Sequence, residues 1–286
     1  MALIFALMSM FFWGLALFLA AIASRKIGNI LTLFWMQIFG FIIGVNYALF
    51  NPHLVSLQLL PPFMAILAVF ALLQVIGTLG YYKGLIKGQV SLVSPLGASY
   101  GLITAVLSLV FLKEVLRLNQ IIAIFLIIFG IIILSINLKD LINKKSIQLL
   151  TGTKEGIIAM LGWGVSLFLL IFPSKYLGWF LPAIFSRFLM ILILLVYILY
   201  SKIAIFPKNQ KLPFKLLIFI GLFDMLAFFS YSLGVSKGFG SIVGPVSSAS
   251  TLVTIFLGLI FFKEKLGVRK IIGVLGIVGG LVLISI

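Results

Sequence analysis

Apolar stretches of about twenty residues follow one another along this chain, parted by short polar breaks, from MALIFALMSMFFWG at the start to GVLGIVGGLVLISI at the end. None alternates with the period of two that a barrel strand requires. A backbone in lipid must satisfy its own hydrogen bonds, so each stretch near ~20 residues is predicted to be a membrane-crossing helix. The predicted spans are 2–23, 30–50, 63–86, 91–112 and 118–137; after the polar segment KDLINKKSIQLLTGTKE (139–155) come 156–173, 180–200, 213–236, 241–262 and 268–286. The first stretch lacks the leading positive charge of a secretory signal, so it is read as span one.

The pattern repeats. FFWGLALFLAAIASRKIG (11–28) is mirrored by LGWGVSLFLLIFPSKYLG (161–178), and YYKGLIKGQVSLVSP (81–95) by YSLGVSKGFGSIVGP (231–245). FLKEVL (111–116) answers FFKEKL (261–266), always at an offset of 150 residues. A constant offset over this length means two copies of one unit: a five-helix repeat at 1–137, a polar linker at 138–155 and a second repeat at 156–286. Because each copy has an odd number of spans, the second is expected to be inverted in the bilayer, a plan common among secondary transporters.

Composition agrees with lipid as the solvent: 63% of residues are hydrophobic, 9% are charged and the mean hydropathy is +1.34. The net charge of +16 is spread between the apolar runs. That distribution argues against a nucleic-acid patch and suits cytoplasmic loops. The odd-numbered loops hold sixteen Lys and Arg and the even-numbered loops four, with Arg187 inside a span. Positive-inside bias therefore predicts odd loops in the cytoplasm and both termini outside. It also explains Lys83 and Lys87, which end span three on the cytoplasmic side, where the matching end of span eight keeps only Lys237. Zero cysteines exclude disulfides and thiolate metal sites.

With Trp-Gly in the first span of each half, Pro95 and Pro245 opening spans four and nine, Lys-Glu after each, and glycines at 130, 273, 276, 279 and 280 in the last spans, the chain resembles the EamA group of the drug/metabolite transporter superfamily. The resemblance covers both halves. It implies a ten-helix bundle, a central cavity lined by the first four helices of each half, and movement of small metabolites across the cell membrane. Family members often carry an Arg early in spans two and seven; Arg187 fits, whereas Gln37 stands at the matching position. Members are often drawn with cytoplasmic termini, opposite to the charge count here.

Polar groups inside spans are costly and mark sites by default. Asp224, about mid-span in helix eight, is the one acid deep in a span; it could bind an amine, take up a proton or pair with Arg187. Its counterpart is Gln74, and that of Arg187 is Gln37, so charge is expected on one side of the cavity only. Gln74, Thr78, Tyr81 and Tyr82 share one helical face, and Asp224, Phe228 and Tyr231 repeat it. Trp13 and Trp163 lie too deep to be interfacial anchors and are read as cavity walls. Ser99, Tyr100, Ser247, Ser248 and Thr251 are weaker candidates, since such hydroxyls often bond back to their own helix. Pro95 and Pro245 each free a backbone carbonyl and are candidate gate positions. Glu114 and Glu264 are expected to cap the helices that follow them. The glycine pairs 40/44, 84/88, 97/101, 234/238 and 276/280 are read as close helix contacts, the last equally as a dimer seam.

No catalytic set, metal cluster or Walker loop is present in the sequence, and His53 has no ligand partners. The expectation is a secondary transporter, not an enzyme, for a neutral or zwitterionic metabolite such as an amino acid or related amphiphile. No cofactor is expected; proton coupling stays open. Its partners are membrane lipids and the substrate, with no nucleic acid, and the chain is a monomer or homodimer. The alternatives are a sugar-linked or lipid-linked substrate, or a membrane scaffold or sensor.

Overall fold

The structure, a computed structural model, describes residues 1–87, 93, 96–135, 152–206, 211–262 and 267–285. Among these residues every regular element is helical: α1 (Ala2–Ile27), α2 (Asn29–Phe50), α3 (Met64–Lys87), α4 (Tyr100–Phe111), α5 (Leu118–Ser135), α6 (Thr153–Leu177), α7 (Phe180–Tyr200), α8 (Phe214–Lys237), α9 (Gly240–Ser248), α10 (Ser250–Phe262) and α11 (Val268–Ser285). Three short 3₁₀ turns, Pro52–Leu54, Leu57–Leu59 and Pro61–Phe63, join α2 to α3. The helices of spans one, two, three, six, seven and eight are each long and apolar enough to cross a bilayer; those of spans four, five and ten are shorter apolar helices, and span nine is divided into α9 and α10. Pro95, Glu264 and most of the expected linker lie outside the described residues.

Two boundaries differ from the sequence reading for one reason. The sequence reading ends spans one and six at residue 23 and at Pro173. The helices instead continue to Ile27 and Leu177 and turn at Gly28 and Gly178, whose φ values are 80° and 79°. A left-handed glycine ends these helices, and loss of hydrophobicity does not. A proline in a helix forfeits one backbone bond, which does not stop it from continuing.

The 150-residue offset reappears in three dimensions. Thr104 Oγ1 donates to the Gly164 carbonyl at 3.0 Å, and its counterpart Thr254 Oγ1 donates to the Gly14 carbonyl at 3.2 Å. Span four turns at Ser99 (φ −73°, ψ 5°) and span nine at Ala249 (φ −68°, ψ 5°). The break in span nine thus falls a turn after Pro245 and not at it. Packing between the halves follows the same exchange: α1 lies on α8 as α6 lies on α3, α2 meets α8 as α7 meets α3, and α4 meets α6 as α10 meets α1. Each copy's apolar faces are therefore completed by the other copy.

The α5–α11 seam shows what close approach demands. A Cβ on Gly130 would lie 2.6 Å from the Gly273 carbonyl and 2.7 Å from the Ile277 nitrogen, both backbone atoms that cannot turn aside. Gly276 and Gly280 also face α5 of the same chain. Gly130→Ala is expected to destabilise the protein by about 1–3 kcal/mol through overpacking. Gly279→Ala, with nothing within 4 Å of the added carbon, should melt like the parent. Thermal unfolding of both in detergent checks the pair.

The outer surface is apolar, as lipid requires, with Val110, Phe111, Phe125, Leu275 and Val282 exposed. The polar groups lie within: Gln37, Gln74, Arg187 and Asp224 are all buried.

Candidate functional site

Between the halves lies a cavity of about 70 Å³, room for a handful of water molecules in this conformation. Helical periodicity assembles its wall. α1 turns Trp13, Leu17 and Ala20 inward, α3 turns Gln74, Thr78 and Tyr82 inward at intervals of four residues, and α8 contributes Asp224 and Phe228. Trp163 comes from α6, Gln37 and Met36 from α2, Met190 from α7, Tyr100 from α4 and Ser250 from α10.

The aromatic groups form a connected belt. Trp163 meets Tyr100 edge to face at 6.0 Å, and Tyr100 meets Trp13 in the same way at 6.3 Å. Trp13 then packs edge to face on Phe228 at 5.2 Å. Trp163 Nε1 donates to Thr78 Oγ1 at 3.0 Å, which fixes its ring and satisfies its donor in the membrane interior.

Behind the wall sits the charge. The Arg187 guanidinium is fully buried and donates through Nη2 to Asp224 Oδ2 at 2.5 Å and through Nη1 to Gln37 Oε1 at 2.7 Å. Its Cζ lies 5.5 Å from the centre of the Phe228 ring, a cation–π contact, and its Nε has no partner among the described residues. Gly40 makes room for this group, since a Cβ there would lie 2.6 Å from Arg187 Nη1. Asp224 and Gln37 reach the cavity while Arg187 does not, so the site presents a carboxylate whose charge is already matched.

Of the residues singled out from sequence, Trp13, Gln37, Gln74, Thr78, Tyr82, Trp163, Asp224 and Phe228 line the cavity, as does Tyr100, a weaker candidate. The others among the described residues stand outside the lining. Tyr81 packs on Trp163 at 5.0 Å, and its counterpart Tyr231 packs on Trp13 at 5.6 Å while donating its hydroxyl to the Leu167 carbonyl at 3.2 Å. Ser99 marks the turn before α4, and Ser248 Oγ is spent on the Pro245 carbonyl at 2.8 Å. The apolar wall, Leu17, Ala20, Met36, Val75, Leu167 and Met190 among it, carried no sequence signal, because an apolar residue in a span reads the same whether it faces lipid or a cavity.

The cavity is one-sided along the helix axes. Its residues lie from the middle of the bundle toward the end where α1 finishes, α2 starts and α3 finishes. The opposite end is packed shut. There Ser174 and Ser232 share a hydrogen bond at 3.0 Å, and the Glu114 carboxylate accepts from the Gly240 and Ser241 amides, both at 2.9 Å, and from Ser241 Oγ at 2.5 Å. This corrects the expectation for Glu114. It caps α9 in the other half of the protein, not α5 after it, because the α9 N-terminus offers two free amides and a hydroxyl to a carboxylate.

A helical bundle with an apolar exterior, a polar and aromatic cavity and candidate spans throughout defines a multi-pass membrane protein. The chain belongs to the EamA-like transporter family, whose model matches twice, at residues 1–136 and 152–286. That places it in the drug/metabolite transporter superfamily, whose EamA members are transporters rather than enzymes. A solved crystal structure superposes with a TM-score of 0.77 over 99% of this chain and 95% of its own, at 15% sequence identity, which speaks to the fold alone. An uncharacterized protein of Methanocaldococcus jannaschii is 52% identical over 69 residues, 24% of this chain; the match spans half of that relative's length.

Proposed function

We propose that this protein is a secondary transporter of the cell membrane, built as ten spans in two inverted repeats. It moves a small neutral or zwitterionic metabolite, such as an amino acid or a related amphiphile, by alternating access. The observation that carries this reading is the one-sided cavity between repeat-equivalent residues, Trp13 with Trp163 and Gln74 with Asp224. Two copies related by inversion can exchange roles, so the packed end and the cavity end can exchange too. Set beside the positive-inside count, the cavity lies on the cytoplasmic half and the Glu114 contact closes the external half.

The lining supports the substrate class. Arg187 and Asp224 neutralise each other, so a multiply anionic ligand such as a nucleotide-linked sugar finds no spare cation among the described lining residues. A ligand ammonium can meet Asp224 and the faces of Trp13 and Trp163, and an apolar side chain the methionines and leucines. As the one carboxylate among the described lining residues, Asp224 is also where a proton gradient would couple.

Uptake into proteoliposomes across a panel of amino acids, amines and nucleotide-linked sugars tests the reading. Accumulation of one or more neutral or zwitterionic compounds above empty vesicles is the expected result. Uptake confined to nucleotide-linked sugars, or none at all, would reject it.

A further inference from the structure

On the far side of α3 from the cavity lies a second concavity of about 400 Å³, between the end of α3, the start of α6 and the end of α7. The antiparallel run of α3 and α6 sorts its lining by depth. On α3, Ile76, Leu79, Gly80 and Lys83 follow one another along a single stripe, covering about 10 Å at 1.5 Å per residue. On α6 the order is reversed, with Lys154 and Glu155 at the start of the helix and Ile158 a turn deeper. Both lysines therefore sit at the end of the bundle, and the aliphatic groups sit inside the hydrocarbon depth. Gly80 lets the two helices close at the base, where an added Cβ would meet Ile158 Cγ2 at 3.0 Å. Tyr197 of α7 forms the remaining rim and is 42% exposed.

We infer that this groove is a binding site for one anionic phospholipid. Its phosphate lies between the Lys83 and Lys154 ammonium groups and its acyl chain along Ile76, Leu79 and Ile158. The charge balance of the head end favours an anion, two ammonium groups against the Glu155 carboxylate. A lysine pair beside helix ends at membrane depth has this complementarity for a headgroup. The occupant is a lipid and not free phosphate, because the deeper half of the groove is apolar and open toward the bilayer, with Ile76 45% exposed. A zwitterionic lipid of the same chains would fill the apolar half equally and gain less at the head. The site is independent of transport, since none of its residues lines the central cavity.

Native mass spectrometry of the full chain in detergent tests this, with phosphatidylglycerol and phosphatidylcholine of matched acyl chains as probes. Phosphatidylglycerol should bind preferentially, and Lys83→Gln/Lys154→Gln should weaken its binding roughly twenty-five-fold, at about fivefold for each basic residue lost. Lys175→Gln/Lys237→Gln, at the opposite end of the bundle, should leave binding unchanged. Glu155→Gln should tighten it, an arm that a folding defect cannot imitate. Equal phosphatidylglycerol binding by the parent and the Lys83/Lys154 variant, an equal loss in the Lys175/Lys237 variant, or no gain from Glu155→Gln would each overturn the assignment. Competition by inorganic phosphate at matched concentration would overturn the lipid as occupant.

Discussion

Asp224→Ala is expected to destabilise the protein by about 3–5 kcal/mol and to stop transport, the largest single-residue effect in the structure. The reason is what it leaves behind. Arg187 is fully buried, and its Nε is already without a partner. With the carboxylate gone, the Gln37 oxygen and the Phe228 face are what remain, among the described residues, to hold a full positive charge in the membrane interior. Removing both charges is a different experiment. Arg187→Met/Asp224→Leu keeps the volumes similar and leaves no orphan, so its melting temperature should return to near that of the parent. Transport should stay lost in the double variant, because the carboxylate that faces the cavity is still missing. Thermal unfolding in detergent, with uptake measured in parallel, separates the structural part of the pair from the functional part. A single variant that melts like the parent would contradict the burial argument.

Glu114→Ala is expected to loosen the packed end of the bundle while leaving the fold intact. The substitution removes the acceptor shared by the Gly240 amide, the Ser241 amide and Ser241 Oγ. Hydrogen bonds to a charged partner contribute about 1.5–3 kcal/mol each. These three tie the loop after α4 to the start of α9, and so tie one half to the other. If that contact holds the end shut, its loss shifts the population toward opening there; because the freed amides and hydroxyl regain water on opening, a net effect near that of one such bond, about 1.4–2.8 kcal/mol, gives roughly ten- to a hundredfold. The natural absence of cysteine makes the readout clean. Ser232→Cys, buried beside Ser174 near that end, should be alkylated faster by that factor in the Glu114→Ala background. Ile277→Cys, buried in the α5–α11 seam, should stay protected and so report against general unfolding. Unchanged labelling of Ser232→Cys would remove Glu114 from any part in closure.

Several of these features could be read in the sequence, and the reason differs from one to the next. The repeat was legible because matched local roles need matched residue types. Gly28 and Gly178 both supply a left-handed turn, and Trp13 and Trp163 both fill the same wall. The Arg187–Asp224 pair was one of three readings of Asp224, since charge in a span usually finds its complement. Gln37 as the third member was not foreseen, although it stands at the counterpart of Arg187 itself. Tyr100 was marked only weakly, yet it joins the two tryptophans. Tyr231 carried the same pattern as cavity residues but turned its hydroxyl to the Leu167 carbonyl. Helical spacing gives the face a residue occupies, and it cannot say which neighbour fills that face.

By itself, the sequence determined the solvent, the helical class, where the long apolar helices fall and the 150-residue internal repeat. Each of these follows from local composition or from comparison of the chain with itself. Tertiary structure alone decided that Glu114 caps a helix 126 residues further along. It alone placed the Arg187 charge behind the wall and the cavity in one half of the bundle. Such facts depend on distances between segments far apart in the chain, and these become definite only when the two copies interlock and each buries the polar groups of the other.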